Sequence, residues 1–596
     1  MVIDQSKKLG SATKSEKYSV ERRGEINTPS ADLKWRPILT KKIVSFEPQS
    51  PDAELIERIK AQKLIIKQQQ AQNKNNGSEV STQSVTPLVG TNYLGNENSG
   101  SSPMDNQLAI SNGGWIVSVA NNTIEYDNTS GATVYYNNII AFLNDPLITS
   151  VCDPVVLYDK LADRFIFFCQ TSPIDANSKI LICFSKTNDP NSGWWVYTLT
   201  GNPLSLAEGF DYPKLAVSNN ELYVTGNLFF EPSGTFDQAI LYQIQKTGGY
   251  AGGTLNWQFW TGISGSPFTL LPVSDGQGLS YGPGCYLVAT ASSGSASIKL
   301  YDLTDDMSGS PSLNYYNVPT TPYSPSADAS QLGTACLLDN GDCRTLSGFY
   351  LNGVIHFVFH SDIGSGWNGI NYNRLTVGSL TNVSSTFGSA GSFDYSYPSV
   401  VSFATSSIDK SVMIGFGRAS STIYPEVRVV NCDNAMGWSG STLVKSSSSF
   451  VSYTSTTNER WGDYTGTTRK HNSTSPSIWM NGMYGTPLNE WSTWVSEIHA
   501  LPVGITENNN VNDLKVFPNP VIETFSVEFS LTETTDLEIG IFDITGKLVK
   551  EIYHGKGIQG DNIFSFNKAN LSAGTYFLNI KNNFNTIKNE KIIIAD

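Results

Sequence analysis

Charged side chains are scarce in this chain. Of its 596 residues only 15% are Asp, Glu, Lys or Arg, and acids outnumber bases by 53 to 39. The net charge of −14 argues against binding of nucleic acid or of an anionic membrane surface. Long apolar runs are absent too, since none reaches the roughly 18 residues that a membrane-spanning helix requires. We therefore expect neither a nucleic-acid partner nor a membrane span.

Several signatures of enzyme and metal sites are also missing. The chain has no Gly-Lys-Ser phosphate loop, no Gly-x-Ser-x-Gly elbow and no dinucleotide fingerprint. Its 5 histidines are too dispersed for a zinc triad, and none of its 7 cysteines forms a Cys-x-x-Cys pair. Cys336 and Cys343 flank a turn and are spaced to close a small disulfide loop. Buried free thiols are the alternative for all the cysteines.

Glycine, serine, threonine, asparagine and tyrosine are abundant, which is typical of an extracellular all-β protein with many turns. Residues 1–104 are predicted to form a mostly flexible leader because their polar tracts cannot repay the entropy of ordering. One helix is expected near 51–72, where Ser50 caps, Pro51 takes the first position and acids fill the first turn.

Residues 105–502 show short apolar strands separated by turns, in blocks that recur at roughly 45 to 55 residues. Typical blocks begin at Asp153-Pro154, at Asp211-Tyr212-Pro213 and at Tyr397-Pro398. Each continues with a second strand and with a third that carries outward polar residues. This pattern predicts a β-propeller of about seven four-stranded blades. A pair of flat sheets and a β-helix are the alternative folds.

Four aspartates lie at or just before predicted inner strands: Asp153, Asp211, Asp394 and Asp463. If these strands line the channel, the four carboxylates ring one mouth of it. Such a ring can bind Ca²⁺ or the hydroxyls of a sugar, whereas the alternative is that each carboxylate caps its own turn. Eight tryptophans are also placed in predicted loops and turns, where aromatic faces can stack on sugar rings.

The C-terminal segment, 514–596, carries a distinctive set of motifs behind a linker at 503–513. Phe525, Val527, Phe529 and Leu531 alternate with polar residues, as a half-buried strand requires, and about seven short strands predict an immunoglobulin-like sandwich. The motifs are Pro518-Asn519-Pro520, Asp543-x-x-Gly546-Lys547, Gly574-x-Tyr576 and a basic apolar end at Lys591. Together they closely resemble the type A C-terminal sorting domain of type IX secretion cargo of Bacteroidetes.

That resemblance implies export through the type IX outer-membrane machinery, with passage through the periplasm to the cell surface or the exterior. Met1 to Lys42 offers no apolar segment of the kind a secretory signal needs, and we expect that the signal is missing from this sequence.

The body is also similar to a family of large secreted bacterial proteins. The similarity rests on the strings at 152–165, 185–190, 211–215 and 460–464. It implies a propeller in an extracellular setting but brings no established activity.

Two functions follow from these observations. The first is a non-catalytic propeller that binds a glycan, a polymer or a protein. The second is a sialidase-like or related glycoside hydrolase. It rests on a loose Asp-box at Ser185–Trp194 and on Asp153, Asp211 and Asp463 as conceivable acid/base groups, with Arg164, Arg418 and Arg460 as conceivable ligands of a substrate carboxylate.

Overall fold

The computed structural model describes residues 3–27, 35–37, 42–44, 49–71, 84–171, 175–473, 475–500, 511–531, 534–543, 546–582 and 585–595. These form two compact units, Met1–His499 and Ala500–Asp596. Most of the predicted linker, 503–513, lies outside the described residues. Among the described residues, no helix combines the length and the apolar character needed to cross a membrane.

The first unit contains, among the described residues, seven antiparallel sheets of four strands that follow one another along the chain. We number them sheet 1 to sheet 7. Sheets 1 to 3 comprise Gln107–Ile110, Trp115–Ala120, Thr123–Asn128 and Thr133–Asn138; Val151–Asp159, Arg164–Thr171, Lys179–Ser185 and Trp194–Thr200; Glu208–Val217, Glu221–Phe230, Thr235–Gln245 and Leu255–Thr261.

The other four sheets have the same pattern. Sheets 4 to 6 comprise Leu271–Pro272, Cys285–Ala289, Ser295–Leu303 and Leu313–Tyr323; Ser347–Leu351, Val354–Asp362, Asn368–Thr376 and Thr381–Phe387; Asp394–Ser402, Val412–Ser420, Ile423–Cys432 and Thr442–Ser446. Sheet 7 combines Gly466–Lys470, Ser477–Gly485 and Trp491–Ala500 with Pro87–Glu97 from near the start of the chain.

The sheets are arranged in a closed ring. The first strand of each sheet, which we call its inner strand, contacts the first strand of the next, and Gly466–Lys470 of sheet 7 contacts Gln107–Ile110 of sheet 1. A ring of radially packed four-stranded sheets is a β-propeller, so the predicted propeller is confirmed.

Both faces of each sheet are buried between neighbours, which explains the nearly continuous apolar strands. In the second strand of sheet 2, Phe165, Phe167 and Cys169 pack toward sheet 1, whereas Ile166 and Phe168 pack toward sheet 3. Successive side chains of a strand point to opposite faces, so a strand between two sheets needs apolar residues at both parities.

The N-terminal segment differs from the predicted flexible leader over residues 3–26. Its short strands add a further edge to three sheets: Gly10–Ser11 to sheet 4, Thr13–Lys14 and Tyr18–Val20 to sheet 3, and Gly24–Ile26 to sheet 2. Ile3 and Ile26 are buried in the core. The polar composition permits this order because the hydrogen bonds come from neighbouring sheets, a pairing that composition cannot reveal.

The predicted helix is confirmed as α1, Ala53–Ala71. It packs on the ring through one stripe of lysines. Lys60 pairs with Asp328 and Asp339, Lys63 with Asp362, and Lys67 with Asp394. Residues three and four apart share a helix face, so one side of α1 is bound by carboxylates of the ring. The described residues of this unit form four smaller helical elements as well: Gln5–Lys7, Ile139–Leu143 (α2), Pro190–Ser192 and Lys246–Ala251 (α3).

Two further strand pairs are parallel and short: Ile43–Val44 with Ser101–Ser102, and Leu337–Leu338 with Asn458–Glu459. The second pair fixes the long loop between sheets 4 and 5. Cys336 and Cys343 lie in that loop as free, buried thiols, so the predicted disulfide is not formed. Cys343 packs in an apolar core, and Cys336 Sγ donates to the carbonyls of Leu337 and Ser455.

The second unit is a sandwich of two antiparallel sheets, as predicted. One sheet holds Val511–Phe517, Thr524–Leu531 and Gly560–Asn567; the other holds Thr535–Phe542, Leu548–Gly557, Gly574–Asn582 and Asn585–Ile594. Phe525, Val527, Phe529 and Leu531 all lie in the core between the sheets, which confirms the predicted alternation.

Candidate functional site: the central channel and its acidic end

A repeated backbone irregularity shapes three inner strands. In sheets 2, 3 and 6 the pairing with the second strand is interrupted by a bulge immediately before or at a proline. The residue before each proline is left-handed: Asp153 at φ 51°, Tyr212 at φ 60° and Tyr397 at φ 50°. Such conformations cost of order 1–3 kcal/mol each and cluster at functional positions. The Pro motifs of the sequence therefore mark bulges that aim side chains into the ring.

Three of the four predicted aspartates come together beside these bulges. Asp153 and Asp211 are buried against each other, and the Asp463 charge acts on both. A fourth carboxylate, Asp105, joins them and was missed by sequence reasoning. Its Oδ1 accepts from the Asp463 backbone amide at 3.0 Å. Asp105 precedes the inner strand of sheet 1 in the same way that Asp463 precedes that of sheet 7, which is the signal that could have revealed it.

The Asp153 and Asp211 carboxyls lie side by side, with an oxygen of each within 4.8 Å of the other. Burial is the main cause that raises the pKa of both groups, well above its ordinary value for Asp153 and to about 6 for Asp211. The amide of Gln170 donates to Asp211 and, at 3.3 Å, to Asp153. Two carboxyls in such contact hold a proton more readily than either would alone. The two carboxyls therefore retain a proton more readily than two isolated aspartates do.

Asp394 lies apart from this group. Its Oδ1 accepts from the Asn368 amide at 3.0 Å and its Oδ2 lies 2.5 Å from Lys67 Nζ of α1. The predicted ring of four carboxylates is therefore corrected to Asp105, Asp153, Asp211 and Asp463. The reason is position along the strand: Asp394 stands four residues before its proline, whereas Asp211 stands two before and Asp153 one before.

Cations are interleaved with the carboxylates. Arg460 Nη2 lies 2.8 Å from Asp463 Oδ2, and Arg344 binds Asp342 at 2.7 Å while its guanidinium lies over the Tyr212 ring. Lys214 follows the sheet 3 bulge directly. Its Nζ donates to the Leu346 carbonyl at 3.2 Å and lies 4.5 Å from the centre of the Tyr464 ring. None of these three roles was predicted from the sequence.

Burial is also the main cause that lowers the pKa of Lys214, to about 7. The Arg344 charge lowers it further, whereas the Asp463, Asp105 and Asp153 charges oppose the shift. A buried ammonium loses its hydration, so the neutral amine gains relative stability. At neutral pH this lysine is poised between the amine and the ammonium.

The channel of the ring begins at this lysine. It is a cavity of about 230 Å³ lined by residues from all seven inner strands or the turns beside them. Lys214, Leu346 and Tyr464 line its inner end, next to the carboxylates. Its walls are mainly aliphatic with hydroxyls between them: Val155, Leu157, Leu215, Val400, Val401, Ser399, Thr467 and Thr468.

The outer end of the channel is marked by half-buried polar residues. Tyr158, Asp275 and His471 line both the channel and a smaller adjoining cavity of about 70 Å³. Burial, followed by the charges of Lys160 and Arg469, lowers the pKa of His471 to about 3, so this imidazole is neutral. The channel therefore runs from a half-buried polar rim to a buried lysine.

The donor set beside the channel does not match the predicted Ca²⁺. Cys152 Sγ and one oxygen each of Asp153 and Asp211 lie within 4.8 Å of one another, and this is the one such group among the described residues. Calcium takes six to eight oxygen ligands, whereas this group offers two carboxylates and a thiol. We derive no function through a metal here.

Six of the eight loop tryptophans do not provide exposed sugar-stacking faces. Trp194, Trp260, Trp461 and Trp491 are at most 2% exposed, and they pack within or between sheets. Trp257 and Trp367 are also buried. The other two, Trp195 and Trp494, are half-buried and lie under cations: Arg22 and Lys186 over Trp195, and Lys445 over Trp494.

The arginines considered for a sialidase-like site do not converge. Arg460 pairs with Asp463, Arg418 pairs with Glu426 at 2.6 Å, and Arg164 donates to backbone carbonyls of its own turn. Asp189 of the loose Asp-box caps the short helix Pro190–Ser192 through the Asn191 amide at 2.9 Å. All of these groups therefore already have partners within the protein.

The sorting motifs of the second unit hold its strand ends together. Asn519, between Pro518 and Pro520, donates to the Lys591 carbonyl and accepts from the Ile593 amide, each at 2.8 Å. Asp543 accepts from the Lys547 amide, and Gly546 has φ 83° in that turn. Tyr576, which follows Gly574, donates to the Ser572 carbonyl at 3.0 Å.

Comparison with known proteins bears on the two units differently. Residues 515–595 match the family described as the secretion system C-terminal sorting domain. The match of residues 515–595 to the sorting domain supports export to the cell surface or the extracellular space and handling by the type IX machinery. A search of curated proteins finds no match.

Solved structures resemble the chain only distantly. A protein of unknown function from Dyadobacter fermentans is 10% identical, with 70% of this chain and 99% of that chain covered and a TM-score of 0.33. A mutant of Trypanosoma rangeli sialidase displaying trans-sialidase activity is 9% identical, with coverage of 80% and 88% and a TM-score of 0.30. A Synechocystis apocarotenoid oxygenase mutant is 10% identical, with coverage of 76% and 73% and a TM-score of 0.26. At such TM-scores none of them supports a shared activity.

Proposed function

We propose that this chain, exported as type IX secretion cargo, is a non-catalytic binding protein whose channel receives the end of an extracellular glycan chain. The observation that carries the proposal is the channel itself. All seven inner strands line it, its outer rim is half exposed, and its walls mix aliphatic carbons with hydroxyls. A sugar presents the same mixture of C–H faces and hydroxyls, and concave sites of this kind bind small groups through a few placed polar atoms.

The size of the channel limits what enters it. At about 230 Å³ it admits a single narrow group rather than an extended oligosaccharide. The rest of a polymeric ligand would remain outside the rim formed by Tyr158, Asp275 and His471. We therefore expect recognition of chain ends.

The rival function, a glycoside hydrolase, is disfavoured by the carboxylates. Retaining and inverting hydrolases hold two carboxyl groups about 5–5.5 Å or 6.5–9.5 Å apart with the sugar between them. Here the Asp153 and Asp211 carboxyls are buried beside each other, with an oxygen of each within 4.8 Å of the other, and neither lines the channel. Asp463 is already paired with Arg460.

The test is a glycan array with the full chain, followed by titration of the best ligand against matched variants. Thr468→Trp places an indole in the channel wall, and Val383→Trp places one on an exposed outer strand. We expect Thr468→Trp to weaken binding at least tenfold and Val383→Trp to leave it unchanged. Equal affinity for both variants would show that the ligand binds elsewhere.

A panel of chromogenic glycosides tests the alternative function, a glycoside hydrolase. We expect that the full chain hydrolyses none of these glycosides. Turnover that Asp211→Asn abolishes, with the variant still folded by its thermal transition, would replace the binding proposal with a hydrolase.

A further inference from the structure

Lys214 differs from the other buried lysines of the ring in its partners. Lys60, Lys67 and Lys246 each form an ion pair with a buried or half-buried carboxylate. Within the described part of the chain, Lys214 forms none. Its Nζ has one protein acceptor, the Leu346 carbonyl, and two aromatic neighbours, Tyr212 and Tyr464.

This environment holds an ammonium less firmly than an ion pair would. The two aromatic rings attract an ammonium, but only one of its three donors has a protein acceptor, the Leu346 carbonyl, and the side chain is only 6% exposed. The amine has a lone pair and fewer protons to satisfy. Lysines that act as nucleophiles toward carbonyl compounds are activated by such desolvation.

Lys214 can also be reached by a ligand, because it lines the channel. The side chain lines the inner end of the channel, so a group that enters from the rim meets it last. Aliphatic residues, Leu215 and Val155 among them, line the approach. A ligand must therefore be narrow and carry its reactive group at one end.

Two of the neighbouring carboxyls can serve as acids. Asp105 and Asp153 lie close enough to act on Lys214, and burial raises the pKa of both well above its ordinary value. Carboxyls that retain a proton are the groups needed to protonate a departing hydroxyl.

We propose that Lys214 captures an aldehyde at the inner end of the channel as an imine. This inference rests on the proposed channel site and names the group that the site holds. The Nζ lone pair forms a bond to the carbonyl carbon, and the C=O π electrons move to oxygen, which takes up a proton to give a carbinolamine. Nitrogen loses a proton, the hydroxyl leaves as water, and the C=N bond forms. Amine and aldehyde give imine and water, with no oxidant or reductant.

Two sources can supply this aldehyde: the open-chain form of a reducing sugar end, and an alkyl aldehyde. The experiment incubates the full chain with glyceraldehyde, with glucose or with hexanal, in the presence of cyanoborohydride, which reduces the imine to a stable amine. Intact mass and peptide mapping then locate the adducts. Preference for glyceraldehyde and glucose over hexanal assigns the sugar source, and the reverse order assigns the alkyl source.

We expect Lys214 to be modified at least about tenfold faster than surface lysines at pH 7.5, because its amine fraction is far larger. Lys214→Arg should remove that adduct, whereas Lys179→Arg should leave it in place. Thr468→Trp should slow it by hindering entry. Because peptide mapping of the unaltered chain identifies the site directly, the result does not depend on the folding of any variant.

Adducts spread over surface lysines with Lys214 unmodified would overturn the imine proposal. If glycan binding then persists and still responds to Thr468→Trp, the channel site survives and only the aldehyde assignment fails. Absence of both glycan binding and a Lys214 adduct would overturn the two proposals together.

Discussion

Lys67 Nζ lies 2.5 Å from Asp394 Oδ2, with the two side chains only 5% and 0% exposed. The same ammonium lies 4.6 Å from the centre of the Trp367 ring and donates to the Asp328 carbonyl at 3.1 Å. This contact ties helix α1 to the inner strand of sheet 6. The helix is thereby held on the ring by its lysine face.

Replacing Lys67 should therefore be costly. We expect Lys67→Met to lower the free energy of unfolding by about 3–5 kcal/mol, because it leaves the Asp394 carboxylate buried without its partner. Urea unfolding followed by fluorescence measures this. Arg58→Met, on the exposed side of α1, is the control and should change little. Adding Asp394→Leu to Lys67→Met should restore most of the loss; a loss that persists would place the effect in helix packing instead.

A buried histidine should make stability depend on pH. Burial lowers the pKa of His360 from 6.5 to about 4. The charges of Asp342 and Asp339 oppose this shift, whereas those of Lys60 and Arg344 add to it. Between these values the unfolded chain binds the proton and the folded chain does not. The stability contribution is therefore complete above pH 6.5 and is lost as the pH falls toward 4.

His360→Gln isolates this effect. From pH 7.5 to pH 5 the native chain should lose about 2 kcal/mol more than the variant, because the other titrating groups cancel in the difference. Denaturant titrations of both proteins across that range provide the measurement. Parallel pH profiles for the two would contradict a neutral, buried His360.

The closure of the ring tolerates no side chain at Gly466. A Cβ there would lie 2.6 Å from the Leu108 backbone nitrogen and 2.8 Å from Gln107 Cα, where the inner strands of sheets 7 and 1 meet. Gly466→Ala should destabilise the protein by roughly 1–3 kcal/mol, as overpacking does. Gly440→Ala is the matched control, since a Cβ at Gly440 meets nothing within 4 Å. Equal melting temperatures for both variants would refute the close approach.

In the sorting unit, Asn519 should protect the last strand from opening. Asn519→Ala removes both hydrogen bonds to that strand, worth about 1 kcal/mol each. Amide exchange of Ile593 in the full chain should accelerate by roughly tenfold or more. The exposed Asn570→Ala serves for comparison and should leave that rate unaltered. Unchanged protection in Asn519→Ala would mean that the strand is held by its ladder alone.

Removal of residues 512–596 should stop export. The truncated chain lacks the unit that matches the sorting domain, so we expect it in the periplasmic fraction instead of at the cell surface or in the medium. Immunoblots of fractionated cells that express either form give the answer. Continued secretion of the truncated form would locate the export signal elsewhere in the chain.

The sequence predicts much of this fold because its signals are local. Period-two alternation at Phe525 to Leu531 and the Ser50-Pro51 helix start each depend on a few neighbouring residues, and the structure confirms both. The Asp-Pro and Tyr-Pro motifs are visible in the sequence but their meaning is not, because a left-handed bulge depends on pairing with a second strand.

The site is harder to predict because its members come from distant parts of the chain. Asp105 and Asp463 meet only when sheets 7 and 1 close the ring, and Lys214 is distinctive only through the missing carboxylate partner in the described structure. Asp394 is an aspartate of an inner strand like Asp153 and Asp211, but it stands farther from its proline and does not join them. Chemistry that arises from desolvation and long-range contact leaves no local pattern in a sequence.

The strand Pro87–Glu97 completes a sheet whose other members begin at Gly466, almost four hundred positions later. A barrier to folding rises with the sequence separation of the contacts that must form. The ring therefore cannot close until the C-terminal strands of sheet 7 are available to pair with Pro87–Glu97. Until then the edges of sheet 7 stay unpaired, and unpaired strand edges are sites at which other chains can add.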